Sequence, residues 1–237
     1  MIRFPCYEHP TKHSVKYNVS QGIFITGTDT GVGKTYVTAA LLAELRRGGA
    51  KAAAFKPIAC GEGGRDDARL YHELMEGEVP LDTINPIFLR HPLAPIVAGK
   101  LERRRIDLAE IRRAWSLLAA RYSAVLVEGA GGLLVPIKRD YFVADLARDL
   151  GLPLLIVGRL SLGTINHTLL TVRQAQAMGL EVKGIVLNDT LGRSGLAERT
   201  NVAVVPELCG VPLLGVMPHG PKNHRAVVRR ICRGLFG

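Results

Sequence analysis

Gly27-Thr28-Asp29-Thr30-Gly31-Val32-Gly33-Lys34-Thr35 sets a lysine and a hydroxyl directly behind a glycine-rich turn. Such a turn can surround a phosphate with backbone N–H groups, and a helix starting at its end adds its positive pole. Gly31, Val32 and Gly33 would then line a bound nucleotide, Lys34 would reach its β- and γ-phosphates, and the Thr35 hydroxyl would be a Mg²⁺ ligand. Five residues separate Gly27 from Gly33, one more than is usual. The apolar run Gly22-Ile23-Phe24-Ile25 before the loop and the segment Tyr36–Leu42 after it still supply the strand and helix that this chemistry requires.

Magnesium beside phosphates commonly takes one or two carboxylates. Glu128 ends the apolar run Ala124-Val125-Leu126-Val127 and precedes Gly129-Ala130-Gly131-Gly132, where a ligand can approach the backbone closely. A strand-end glutamate can also be plain surface. Asp67, in Arg65-Asp66-Asp67-Ala68, is a second candidate, although helix capping explains an aspartate at a helix start equally well. Lys56 follows four apolar residues and precedes Pro57-Ile58-Ala59-Cys60-Gly61. It is either a solvated strand end or a cation facing the same cleft as the loop.

These residues need a scaffold that brings strand ends together. Six apolar segments, 22–26, 52–56, 124–128, 153–157, 182–188 and 213–217, alternate with amphipathic stretches. The fold class expected is α/β, a mostly parallel sheet with helices on both faces. Strands buried on both faces read as continuous apolar runs, as these do. Apolar positions Ile111, Trp115, Leu118, Ala119 and Tyr122 recur at helical spacing, which assigns Trp115 to the core, and another amphipathic helix is expected after Gly163.

At 237 residues, with 47% hydrophobic and 22% charged content, one globular domain over residues 21–237 is expected, after a loose N-terminal extension over 1–20 that does not read as a secretory signal. No apolar run approaches the roughly 20 residues that cross a bilayer. Four widely spaced cysteines suggest neither a zinc site nor a disulfide framework, which fits a reducing cytoplasm. The net charge of +10 admits nucleic acid, an anionic surface or anionic small substrates. Five basic residues and no acids lie between Lys222 and Gly237. Without stacking aromatics they read as a solvated helix, not a nucleic-acid contact.

Taken in order, Gly27-Thr28-Asp29-Thr30, Val32-Gly33-Lys34-Thr35, Lys56-Pro57, Asp67, Val127-Glu128-Gly129-Ala130-Gly131-Gly132, Leu162-Gly163-Thr164-Ile165-Asn166-His167 and Asn188-Asp189 resemble the dethiobiotin synthetase family from about Gly22 to Pro218. The loop alone is shared with many ATPases, whereas the combination is specific. The resemblance implies a single-domain P-loop NTPase-type fold and a biotin-pathway ligase joining 7,8-diaminopelargonic acid and CO₂ at the expense of ATP. It implies Thr35, Asp67 and Glu128 as Mg²⁺ ligands, and Lys34, Lys56 and Thr30 as groups acting on γ-phosphate and carbamate. It further implies Asn188, Met217 and Pro218 around the base, and Lys56, Cys60, Gly129, Ala130 and Gly131 around the substrate. Gly163, Thr164, Ile165 and Asn166 would receive the substrate carboxylate bound by the other subunit of a homodimer, although Thr164 could instead simply cap a helix. Two departures stand out. Gly31 replaces an acidic residue of some relatives, and Cys60 replaces a common hydroxyl residue with a weaker donor.

Two other readings share the loop. A partition-type or cell-division ATPase would suit the basic tail, but that class resembles Lys-Gly-Gly-x-Gly-Lys-Thr, and here its first lysine is Asp29. The ATP-dependent domain of a cobyrinate-type amidotransferase normally carries a glutaminase domain that 237 residues cannot hold.

Overall fold

The computed structural model describes residues 22–61, 63, 65–192, 195–220 and 224–237; the extension expected over 1–20 lies outside them. Each of the six apolar segments becomes a strand: β1 (Ile23–Gly27), β2 (Ala52–Phe55), β5 (Ala124–Gly132), β8 (Leu154–Arg159), β9 (Val182–Asn188) and β10 (Leu213–Met217). They form one parallel sheet in the order β10-β9-β8-β1-β5-β2. Boundaries move slightly from the expected ones. The first strand starts one residue later, and the third runs four residues further, to Gly132.

Both faces of the sheet are covered, as the continuous apolar runs require. Leu155, Val157 and Val186 point into the main core, whereas Ile156, Ile185 and Leu187 point to the opposite face. On that opposite face lie α7 (Thr164–Ala177), through Val172, and α8 (Leu196–Cys209), through Val205. Helix α1 (Lys34–Arg47) packs against β1, β2 and β5. In α5 (Leu108–Arg121), Ile111 and Leu118 are buried, as is the following Tyr122. Trp115 is only half-buried against Phe55, and Ala119 is exposed, so the apolar face is narrower than its spacing predicts.

Short strands decorate this frame. Parallel β3 (Ile58–Cys60) and β4 (Ile87–Leu89) form one pair, and antiparallel β6 (Pro136–Lys138) and β7 (Tyr141–Phe142) another. The remaining helices are α2 (Asp66–Leu74), α3 (Leu81–Ile84), α4 (Pro95–Leu101), α6 (Val143–Asp149) and α9 (His224–Phe236).

The basic C-terminal segment is docked, not free in solvent. Val228, Ile231, Cys232 and Phe236 form the buried stripe of α9. Gly215 and Gly234 allow close approach, since a Cβ would lie 2.9 Å from Ile231 at the first and 2.8 Å from Leu214 at the second. On α1, the nearly buried Glu44 accepts from Arg229 at 2.8 Å and from Arg47 at 2.8 Å, with Arg225 at 3.6 Å. Part of the basic surplus therefore surrounds one carboxylate. Glu44→Ala is expected to lower stability by about 2 kcal/mol, because three cations lose their shared acceptor. Chemical denaturation would check this, and an unchanged midpoint would count against the anchoring role.

Candidate functional site

The site lies at the carboxyl ends of the central strands, where open α/β sheets bind ligands. β1 delivers the glycine-rich loop. Gly33 has φ 95° and is the N-cap of α1, so the helix begins directly at Lys34. The αL backbone suits glycine, and any Cβ there would sit 2.1 Å from the amide nitrogen of Asn188. Asn188, paired beside the loop from the end of β9, donates from that nitrogen to the Val32 carbonyl at 2.9 Å. Met217 is its register partner on β10 and is buried, and Pro218 is half-buried next to it. One strand end thus braces the phosphate loop and borders the Met217–Pro218 wall.

Two lysines and two carboxylates converge below the loop. Lys34 is buried, and its ammonium donates to the Asp29 carbonyl at 3.1 Å. Burial lowers its pKa, Glu128 opposes the shift, and Lys56 adds to it. Lys56 Nζ lies 2.7 Å from Asp67 Oδ2 and 2.6 Å from Glu128 Oε1. Burial alone would depress this ammonium, but Glu128 and Asp67 outweigh it and hold the pKa above the usual lysine value. Lys56 is therefore a charged group, not a solvated strand end. Asn85, fully buried, fixes the turn beneath it by donating to the Lys56 carbonyl at 2.8 Å and to Ile87 at 3.0 Å.

The donor set fits a hard divalent cation. The Thr35 hydroxyl donates to Glu128 Oε1 at 3.0 Å, and Lys56 already bridges Glu128 and Asp67 with positive charge. Among the described residues no group of three or more His, Cys, Asp or Glu side chains gathers. Two carboxylates and a hydroxyl are instead the oxygen ligands that Mg²⁺ takes when phosphates complete its shell. Helix capping does not account for Asp67, because the N-cap of α2 is Arg65, with no side-chain cap bond.

Tyr71 was not anticipated from the sequence. It is buried on α2, and its hydroxyl donates to Glu128 Oε2. Burial and the Glu128 charge push its pKa well above the ordinary tyrosine value, so it stays a donor. The signal was present, since Tyr71 lies four residues after Asp67 and shares its helix face.

The remaining candidates divide into several groups. Gly129 is buried, and a Cβ would meet Phe24 at 2.9 Å and Val143 at 3.0 Å, so packing alone requires glycine there. Gly131 has φ 65° and lies beneath Thr30, whose hydroxyl would be 3.4 Å from an added Cβ; half-buried Ala130 precedes it. Thr30 therefore lies close to the end of β5. Cys60 is half-buried, and its thiol is pushed up to about 11 by burial and Glu102 against the opposing pull of Lys56, which leaves it a neutral, weak donor. Gly31 is exposed, with φ 73°.

Gly163 to Asn166 open α7 just beyond the carboxyl end of β8, the strand beside β1. Gly163 is the αL N-cap, and Thr164 shares a hydrogen bond with Thr168 at 3.3 Å in place of capping the helix. Ile165 is half-buried and Asn166 exposed. Among the described residues no hydrogen bond or ion pair joins this turn to Lys34, Lys56, Asp67 or Glu128 of the same chain. Leu162 before it is 88% exposed and Leu170 is 61% exposed, so apolar side chains flank the turn.

A family model described as an AAA domain matches residues 21–226. The chain is 44% identical over 201 residues to the ATP-dependent dethiobiotin synthetase BioD of Bacillus licheniformis, covering 84% of this chain and 86% of that protein. The same enzyme of Thermodesulfovibrio yellowstonii is 43% identical over 212 residues, covering 84% and 88%. That of Anaeromyxobacter dehalogenans is 45% identical over 203 residues, covering 85% and 91%. Among solved structures, the MinD cell division protein of Aquifex aeolicus superposes with a TM-score of 0.55 at 15% identity, over 91% of this chain and 96% of that one. At that identity the likeness is one of fold alone.

Proposed function

The chain belongs to the ATP-dependent dethiobiotin synthetases, an identity shown by relatives above 40% identical across most of its length, and on that premise we propose how its residues divide the work. The enzyme is an ATP-dependent ligase of biotin synthesis. In the proposed sequence, 7,8-diaminopelargonic acid takes up CO₂ on one amine as a carbamate. The carbamate then attacks the γ-phosphate to give a carbamic–phosphoric anhydride. The second amine closes the ureido ring and expels phosphate, leaving dethiobiotin and ADP.

One observation carries this assignment: the cluster of Lys34, Lys56, Thr35, Asp67, Tyr71 and Glu128 at the end of the phosphate loop. Carbamate and γ-phosphate are both anions, and bringing them together requires fixed positive charge in a site shielded from water. Lys34 would hold the phosphate chain. Lys56, released from Asp67 and Glu128, would face the carbamate and the transferring phosphoryl group, with Thr30 beside it. Mg²⁺ bound by Thr35, Asp67 and Glu128 would supply Lewis-acid neutralisation of phosphate charge. Tyr71 would keep one Glu128 oxygen oriented. Asn188, Met217 and Pro218 would hold the base, and Gly129, Ala130, Gly131 and Cys60 would border the diamine.

The exposed start of α7 supports a shared pocket. The N–H groups and positive pole at the start of α7 suit a carboxylate, with the Thr164 N–H held at 3.2 Å by the Ser161 carbonyl. The lack of any bond from this turn to the lysine cluster among the described residues, and the exposed Leu162 and Leu170, fit a homodimer in which each turn serves the other subunit. Mixing an inactive Lys34 variant with an inactive Asn166 variant is expected to restore part of the activity. Absence of recovery in verified heterodimers would remove the shared pocket.

Among the described residues no helix is long and apolar enough to cross a membrane. A reducing cytoplasm supplying ATP is the compartment we infer, in keeping with unpaired Cys60, Cys209 and Cys232. The direct test is ADP release with Mg²⁺-ATP and bicarbonate, with and without the diamine, followed by product mass. Diamine-dependent release with the mass of dethiobiotin supports the reading, and release indifferent to the diamine would overturn it.

A further inference from the structure

We propose that Arg159 is a second-side cation of the nucleotide site, reaching across Gly31 to the phosphate chain that the loop holds. It is the last residue of β8, whose neighbour β1 feeds the loop directly. Its backbone is pinned, since Arg159 pairs in register with Asn188, and Leu160 N–H donates to the Asn188 carbonyl at 2.8 Å. Both register partners lean over the same loop. The Asn188 amide reaches Val32 at 2.9 Å and faces Gly33, while the Arg159 guanidinium would lie 3.8 Å from a Cβ at Gly31.

With 31 basic against 21 acidic residues, solitary surface arginines are expected in this chain, and placement is what sets Arg159 apart. Among the described residues it has no carboxylate and no hydrogen-bond acceptor for its guanidinium, although the strand fixes its origin at the ligand-binding end of the sheet. Lys34 and Lys56, by contrast, are engaged from below by the Asp29 carbonyl and by two carboxylates. A planar guanidinium can bind two phosphate oxygens at once. From the outer side of the loop it would neutralise charge that the buried lysines do not face, including charge passing to the leaving ADP as the γ-phosphoryl group departs. The absence of a side chain at Gly31 leaves that approach open.

This inference rests on the ligase reading for its kinetic arm but not for its binding arm. Arg159→Ala and Arg159→Lys would be titrated calorimetrically with ADP and with a non-hydrolysable ATP analogue in Mg²⁺. Their kcat and KM for ATP and for the diamine would be measured alongside. Because Arg159 is exposed, both variants are expected to melt like the wild type. The alanine variant is expected to lose about tenfold or more in nucleotide affinity, with partial recovery in the lysine variant. Its kcat/KM for ATP should fall by about 100-fold while the diamine KM stays unchanged. Wild-type nucleotide affinity in Arg159→Ala would overturn the proposal. A raised diamine KM with unchanged nucleotide affinity would also overturn it, and would assign the guanidinium to the substrate carboxylate. Nucleotide affinity that responds to Arg159 in a protein making no dethiobiotin would sink the ligase reading and leave this one standing.

Discussion

Lys56→Ala is expected to cut dethiobiotin formation by about three orders of magnitude and to lower stability by about 3 kcal/mol. The two losses have separate causes. Catalysis loses the cation proposed to meet the carbamate and the transferring phosphoryl group. Stability falls because Glu128, buried midway along β5, and Asp67 lose the ammonium held 2.6 and 2.7 Å away. Hydroxyls of Thr35 and Tyr71 still serve Glu128 but bring no positive charge. Steady-state turnover and a denaturant titration read the two effects independently. Wild-type-like turnover would remove Lys56 from the reaction, and unchanged stability would show that its ion pairs are energetically idle.

Lys34→Ala is expected to be as inactive, by about 10³-fold or about 4 kcal/mol of barrier, yet nearly as stable as the wild type. Lys34 gives up only one hydrogen bond, to the Asp29 carbonyl, and its burial already lowers its pKa. Removing it ends the cost of burying an ammonium and its repulsion with Lys56, which offset the lost attraction to Glu128. Two lysines in one site thus differ in what they hold in the free protein. The contrast is measurable: equal loss of activity with unequal loss of stability. Equal melting behaviour in the two alanine variants would mean that the Lys56 ion pairs are not a structural element.

Much of this arrangement was legible in the chain. Long, doubly buried strands announce themselves as apolar runs, and all six main strands were found to within a few residues. The loop, Lys56 and Glu128 stand out because each ends or follows such a run, whereas Asp67, at a helix start, stands out through the family resemblance. Strands of two or three residues, such as Tyr141–Phe142, are too short for any period to register. Asn85 and Tyr71 were missed because their importance lies in partners 29 and 57 positions away in sequence, Lys56 and Glu128. Nothing in the sequence marks Arg159, whose place follows from the pairing of its strand with Asn188. The docking of the tail depended on Glu44, one acid in the ordinary helical stretch Ala43-Glu44-Leu45-Arg46-Arg47, with nothing local to mark it.

Glu44 also places a constraint on how this chain can vary. Its helix carries the phosphate loop's lysine at one end and, three turns later, the carboxylate to which α9 is fastened. A protein shortened ahead of Arg225 would lose two of the three arginines around that acid together with the helix that packs over it. The surface so opened would join a carboxylate to the apolar face against which α9 lies. Glu44 and Arg229, 185 residues apart in sequence, should be inherited as a pair.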